Sequence, residues 1–415
     1  MRTLAQVLAL LVGALAVQAK DAAAPAPLGS PEFRPTPERP FGWRGDGSGR
    51  YPGATPVLEW SLSKNIRWSA AVGKSYASPI VVGDLVVVLS EPNLLVAVDR
   101  ATGKEKWKKA IDVRELSDPA ARAAAEEYKA KDTGFAAATP VTDGARIYAV
   151  LASGIVQAVD LSGKAAWTAF IDARQNTAYG RSASPILTDG KLIVHMTNLY
   201  AFDPQSGKPL WVNTDARCQY GTPAALRMGA AALIVTPAGD VMSAADGKNL
   251  NTQIGNTSNA SPVVQDGLVY FAEKDVRAIR LGADYKDESV WNGEIQGDVF
   301  GSPLLDGGLL FTATGKGELV VFDASKKGSV EPLFEARPLF GDDVGAQPIA
   351  YSSFTLAGKH LFLTSLAGDI VVLEATRQAK PVARNKLKEG SGSAPVFSGK
   401  DLFLRDGDRL YCIGE

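Results

Sequence analysis

Eight proline-bearing phrases recur along the chain, and the residues just ahead of them are those whose types can do chemistry. They are Lys74 and Tyr76, Phe135, Tyr179 and Arg181, Gln219 and Tyr220, Asn256 and Asn259, Asp298 and Phe300, Asp342 and Asp343, and Ser391 and Ser393. Aromatics, amides, cations and carboxylates gathered around one opening suit the binding of a ligand or a peptide, because aromatics supply contact area and a few polar groups fix orientation. The plainer alternative is a solvated polar rim. Two of the approaches share a pattern: Asp172-Ala173-Arg174 runs on to Tyr179-Gly180, and Asp215-Ala216-Arg217 to Tyr220-Gly221. Paired Arg and Tyr can read a carboxylate or phosphate. Arg beside a local Asp more often braces neighbouring elements, and bracing is the preferred reading.

Other chemistries find little support. The two histidines, His195 and His360, fall beside apolar residues in strand-like stretches and read as strand positions, not as metal ligands or general bases. No glycine-rich phosphate loop, Ser-His-Asp order or paired-carboxylate motif stands out. Cys218 and Cys412 lie in different repeats; one disulfide and two separate thiols both remain open. With 44 basic and 45 acidic residues the net charge is -1. That gives no electrostatic footprint for nucleic acid or anionic lipid.

The elements that must position these residues follow from the repeats. The phrases are Ser78-Pro79, Thr139-Pro140, Ser184-Pro185, Thr222-Pro223, Ser261-Pro262, Ser302-Pro303, Gln347-Pro348 and Ala394-Pro395, with spacings of 61, 45, 38, 39, 41, 45 and 47. A period near forty residues signals a repeat architecture. Most phrases lead into an apolar strand, an Asp-Gly or Gly-Asp turn such as Asp189-Gly190, and a β-branched strand such as Leu85-Val86-Val87-Val88. A third strand ends in Asp at 99, 160, 203 and 323, and a Gly-Lys turn leads to outer-strand tryptophans at Trp107, Trp167 and Trp211. Four short antiparallel strands per repeat make a propeller blade, and a Trp on the outer strand fits the seam between blades.

The last repeat ends one strand short, at Leu410-Tyr411-Cys412-Ile413, while an unmatched strand with a Trp, Asn65-Ile66-Arg67-Trp68-Ser69, precedes the first. The expectation is therefore all-β: a single eight-bladed β-propeller of four-stranded antiparallel blades, with the N-terminal strand closing the last blade. The long first spacing holds a helical insertion between blades 1 and 2, starting at Ser117-Asp118-Pro119 and running to Lys131. Residues 1–19 read as a signal peptide, with Arg2, an apolar run and small residues at Val17-Gln18-Ala19. Residues 20–40 carry six prolines and read as a flexible or polyproline-like leader. The propeller occupies 41–415. No other stretch is long and apolar enough to cross a bilayer.

Asp99-Arg100-Ala101-Thr102-Gly103-Lys104-Glu105-Lys106-Trp107, Asp203 through Trp211, and Asp160 through Trp167 resemble the tryptophan-docking repeat of the pyrroloquinoline-quinone-like (PQQ-like), or quinoprotein-type, β-propeller repeat family. Trp43-Arg44-Gly45, Trp60 and Ile66-Arg67-Trp68 resemble the start of such proteins. The docking pattern fades in repeats four to seven, where Asp246-Gly247-Lys248 has no following Trp and Trp291 lacks the Gly-Lys turn. Those seams are expected to be packed differently. The family holds PQQ-dependent alcohol dehydrogenases and also non-catalytic scaffolds, such as the propeller lipoprotein of outer-membrane protein assembly. In the dehydrogenases PQQ stacks between a Trp and adjacent disulfide-linked cysteines beside a calcium ion. Here no two cysteines are adjacent, no Trp falls among the expected mouth residues, and no haem motif is present. Asp298, Asp342, Asp343, Asn256 and Asn259 offer the hard oxygens that calcium takes, yet their spacing specifies no site. With the signal peptide and without these dehydrogenase features, the expectation is a periplasmic or secreted, monomeric, non-catalytic scaffold that binds a protein or cell-envelope component through its connection face and channel mouth. A PQQ-dependent alcohol or sugar dehydrogenase is the alternative.

Overall fold

The computed structural model describes residues 26–173, 177–217, 219–255, 257–341 and 350–415. The expected signal peptide lies outside them, as do Arg174, Cys218, Asn256, Asp342, Asp343 and the Gln347-Pro348 phrase. Within the described residues the strands form eight antiparallel blades of four. The eighth closes as expected: Ile66–Ala71 lies antiparallel to Arg409–Ile413, with Ile66 opposite Ile413 and Ala71 opposite Arg409. Each blade buries apolar residues on both faces against its neighbours, so the core consists of seams between blades.

The hydroxyl residues that begin the repeat phrases have a shared structural task. The backbone N–H of Ser78 donates to Thr139 Oγ1, that of Thr139 to Ser184 Oγ, Ser184 to Thr222, Thr222 to Ser261, Ser261 to Ser302, and Ser302 to Ser353, at 2.8–3.0 Å. This belt links each inner strand to the next around the channel. It also corrects the phasing of blade 7. The seventh inner strand is Thr355–Ala357, introduced by Ser353-Phe354, not by Gln347-Pro348. Phe354 stands where the other phrases have proline. The belt is incomplete at blade 8, where Ala394 has no hydroxyl to accept the Ser353 N–H. Replacing Ala394 with Ser is expected to supply that acceptor and stabilise the ring by about 1 kcal/mol. Thermal unfolding of Ala394→Ser measures it, and an unchanged or lower midpoint would show that the link does not form.

The docking tryptophans bridge four seams. Trp68, Trp107, Trp167 and Trp211 each donate an indole N–H to the turn of the next blade, at the carbonyls of Arg100, Leu161, Pro204 and Ala244, at 2.9–3.2 Å. Each ring lies over that turn's glycine. At Gly163, φ is +84° and an added Cβ would come within 2.7 Å of the Trp107 ring, so only glycine fits. The other seams are packed differently, as the broken pattern implied. Asn251 donates to the Tyr285 carbonyl, and Arg337 to those of Gln378 and Ala379. Trp291, 1% exposed, packs between Tyr270 and Phe322. Trp60 fills the last seam beside Phe362, its backbone N–H donating to Asn385 Oδ1.

The proline-rich leader, read as flexible, is docked from residue 26 onward. Phe33 is 3% exposed and stacks on Phe41 at 5.7 Å, and Gly29 N–H donates to the Asp143 carbonyl. The chain then crosses the propeller on the face opposite the blade-to-blade connections. It bonds to Thr142 of blade 2, pairs Arg50–Tyr51 parallel to the seventh inner strand, and reaches Gly399 of blade 8 through Thr55. Prolines cannot join a ladder, but they cost little in an irregular strap anchored by the buried Phe33. The helix is Pro119–Glu127, shorter than the sequence implied, with Asp118 capping the Ala120 N–H and Ala125 buried against blades 1 and 2. His195 and His360 lie in second strands as expected, and burial lowers the His195 pKa to about 3.

Candidate functional site

The strap turns the channel into a blind cavity of about 650 Å3 that opens on the connection face. Trp43 and Arg44 form its floor. The belt hydroxyls, Ser78 through Ser353, form its wall, and the approaches to the blades form its rim. Trp43 also lines a smaller recess of about 240 Å3 on the strap side, so it is the partition between the two.

Of the residues singled out by the sequence, Tyr76, Tyr179, Tyr220, Asn259, Phe300 and Ser393 meet in this cavity. Tyr76 and Tyr179 are 54% and 58% exposed. Tyr179 lies 5.9 Å from Tyr220, and Phe300 4.8 Å from Tyr351, ring centre to ring centre. Tyr351, 45% exposed, belongs to the rim but was not singled out, because the mis-phased seventh repeat placed attention on Asp342 and Asp343. Burial raises its phenol pKa, and the neighbouring Tyr179 and Tyr76 raise it further, which places three phenols close together over the opening. Asp132 and Thr133, at the end of the helical insertion, complete the rim. Thr133 N–H donates to the Tyr179 carbonyl. The insertion therefore reaches the mouth through its tail, while the helix packs aside.

Other expected residues do different work. Arg181 is buried and donates to the carbonyls of Ala152 and Ala173, with its guanidinium 5.3 Å from the Tyr128 ring centre. It braces blade 2 to blade 3. Arg405 does the same between blades 8 and 1, on Gly73 and Leu89. Carboxylates hold the connections themselves: Glu91 accepts from the N–H groups of Phe135 and Ala136, Glu273 from Ser258 and Asn259, Asp406 from Lys388 to Gly390. Lys74 is exposed and ion-pairs with Glu389 at 3.6 Å; Gln219 and Asp298 are exposed outside the cavity wall.

Of the oxygen donors considered for calcium, only Asn259 and Asp298 are among the described residues. A tryptophan does stand at the floor, contrary to the sequence reading, but it comes from the strap. The Asn259 amide is engaged with Glu273, and Asp298 lies outside the cavity. Among the described residues no three carboxylate, histidine or cysteine side chains converge as metal ligands. Cys412 is a buried free thiol in blade 8, its pKa pushed up to about 12 by burial.

An eight-bladed ring with indole-on-glycine seams and a closed N-terminal latch defines a PQQ-like β-propeller. Residues 60–282 match the family model described as outer membrane protein assembly factor BamB, and the chain belongs to that family. Similar solved structures include BamB from Moraxella catarrhalis, with a TM-score of 0.62 at 14% identity, covering 84% of this chain and 97% of that one. Quinohemoprotein alcohol dehydrogenase from Comamonas testosteroni superposes with a TM-score of 0.61 at 12% identity, covering 91% and 80%. A europium-containing methanol dehydrogenase gives 0.54 at 12%, covering 89% and 90%. At these identities the likeness is one of fold. No curated protein matches the sequence. Among the described residues no helix is long and apolar enough to cross a membrane.

Proposed function

We propose that this chain is a periplasmic or secreted, non-catalytic binding scaffold, which engages a protein or cell-envelope component through its connection face. The observation that carries this reading is the cluster of Tyr76, Tyr179 and Tyr351 at the mouth, each about half exposed in a fold that buries most of its other large aromatics. Tyrosine offers a large contact area with a polar tip and little rotamer entropy, which is why it recurs at the energetic centres of interfaces. The carboxylate and arginine braces hold the connections in place, so little ordering cost falls on binding. The family description, an outer membrane assembly factor, agrees with a protein partner in the envelope.

The test is site-specific photocrosslinking in the native envelope. Probes at Tyr179 and Tyr351 are expected to trap the same partner, and a probe at the exposed Lys327, on the strap face, is not. Equal trapping from both faces would remove the assignment of the connection face. Saturable binding of PQQ with calcium, accompanied by dye-linked oxidation of alcohols or sugars, would replace the scaffold reading with the dehydrogenase one.

A further inference from the structure

Of the described residues that line the cavity, only Arg44 and Asp132 are charged. Arg44 is 1% exposed, its Nε and Nη1 are enclosed, and the nearby Asp46 offsets its charge. Asp132 stands at the rim, exposed to solvent, and forms no ion pair among the described residues. The nearby lysines are engaged elsewhere: Lys131 Nζ donates to the Thr177 carbonyl at 2.9 Å, and Lys74 pairs with Glu389. The charge that an entering group meets at the mouth is therefore negative.

Aromatic rings share the rim with that carboxylate. Tyr179 and Tyr220 form one pair, Phe300 and Tyr351 another, and Tyr76 is the fifth ring. The Tyr179 backbone is held on both sides. Its N–H donates to the Tyr220 hydroxyl, and its carbonyl accepts from Thr133, the residue after Asp132. Tyr179 is thus fixed close to the carboxylate before anything binds, and Tyr76, Tyr179 and Tyr351 keep about half their surface open. The face of an aromatic ring carries the negative lobe of its quadrupole and attracts a cation within about 6 Å of the ring centre. A free carboxylate and open ring faces on one rim both favour a cation, and neither attracts an anion.

We infer that the mouth seats a cationic side chain, a lysine or arginine presented by the protein partner, with its stem against the tyrosine rings and its charge beside Asp132. This rests on the scaffold reading and names the chemistry by which the mouth recognises its partner. The rings lie at the outer rim, where a docked protein surface would be, and the cavity of about 650 Å3 behind them has room for a whole side chain. Lysine and arginine are amphipathic along their length, so an apolar stem on the rings and a charged head on a carboxylate satisfy both parts.

Calorimetry on the full chain tests the inference with short blocked peptides. One carries arginine, with citrulline as its uncharged counterpart; another carries lysine, with acetyllysine as its counterpart; a third carries glutamate. The cationic peptides are expected to saturate and to bind about tenfold more tightly than their neutral counterparts. Asp132→Asn and Tyr179→Leu should each shrink that preference while circular dichroism stays native. Equal affinity of charged and neutral peptides, equal or better binding of the glutamate peptide, no saturable binding into the millimolar range, or an undiminished preference in both folded variants would each overturn the inference. Choline, with 3,3-dimethylbutanol as its neutral isostere, separates the sources of the cation: choline binding tighter than every peptide would replace the partner's side chain with a free small cation. The photocrosslinking result separates this inference from the reading it rests on. A partner trapped at Tyr179 by a mouth with no cation preference leaves the scaffold standing and removes the seat. A cation preference with no trapped partner removes the scaffold, and with it the side chain as occupant. The charged–neutral comparison is made on the unaltered chain, so it holds even if a variant fails to fold.

Discussion

Deleting the chain through Ser69 is expected to abolish cooperative folding. The cut removes most of the strand that completes blade 8, and with it Trp68, which is 9% exposed and spans the seam to blade 1. It also removes Trp60 from the seam between blades 7 and 8, and the strap that fills the channel floor. Two buried tryptophans alone represent on the order of 10 kcal/mol of apolar burial, comparable with the whole stability of a typical domain. The measurement is denaturant unfolding followed by circular dichroism and near-ultraviolet signal. A shorter deletion, through Arg39, is the control. It loses Phe33 but keeps the floor and the latch, and should melt earlier in a single cooperative step. If the deletion through Ser69 unfolds at an unchanged midpoint, the last blade is not closed by this strand.

Trp291→Ala should be the most damaging single substitution in the middle of the ring. The side chain is almost fully enclosed between Tyr270 and Phe322, at 6.3 and 5.8 Å between ring centres, in a seam that lacks the glycine-turn docking of blades 1 to 3. Truncation leaves a cavity that its aromatic neighbours cannot close, for a loss of about 3–5 kcal/mol. Trp107→Ala, by contrast, removes a half-buried ring that rests on Gly163, and should cost less. The two midpoints in urea decide the order. A larger loss at Trp107 would mean that the docked indoles carry the ring and that the fifth seam is secondary.

The sequence made the architecture legible because its strongest signals are local. Gly163 followed by Trp167, or Gly207 followed by Trp211, declares a turn and an outer strand within a few residues, and Trp68 ahead of the first repeat matched a gap behind the last. Blade 7 was mis-phased for the same reason: its true phrase, Ser353-Phe354-Thr355, has no proline, and a decoy proline at 348 stands five residues before it. The site was legible in part. Tyr76, Tyr179, Tyr220 and Phe300 were found because they precede recognisable strands. Trp43 and Arg44 were not, since nothing in a glycine-rich run of sequence announces that it crosses the axis of a ring whose walls run from Ser78 to Ser353. Arg181 was misjudged in kind, because a charged residue at a loop gives no sign that its guanidinium turns inward to carbonyls.

The N-terminal latch carries a consequence for timing. Ile66–Ala71 pairs with Arg409–Ile413, and Arg44 reaches the carbonyls of Pro303 and Phe354. The strand at Ile66–Ala71 therefore waits for Arg409–Ile413 to be synthesised before it has a partner. Until then Trp60 and Trp68 are unburied, and blades 1 to 7 form an open arc with two raw edges. Contacts so distant along the chain are slow to form and leave adhesive surfaces exposed in the interval. A nascent chain folding as it emerges meets this hazard for most of its synthesis. One kept extended until Ile413 is available closes the circle in a single event.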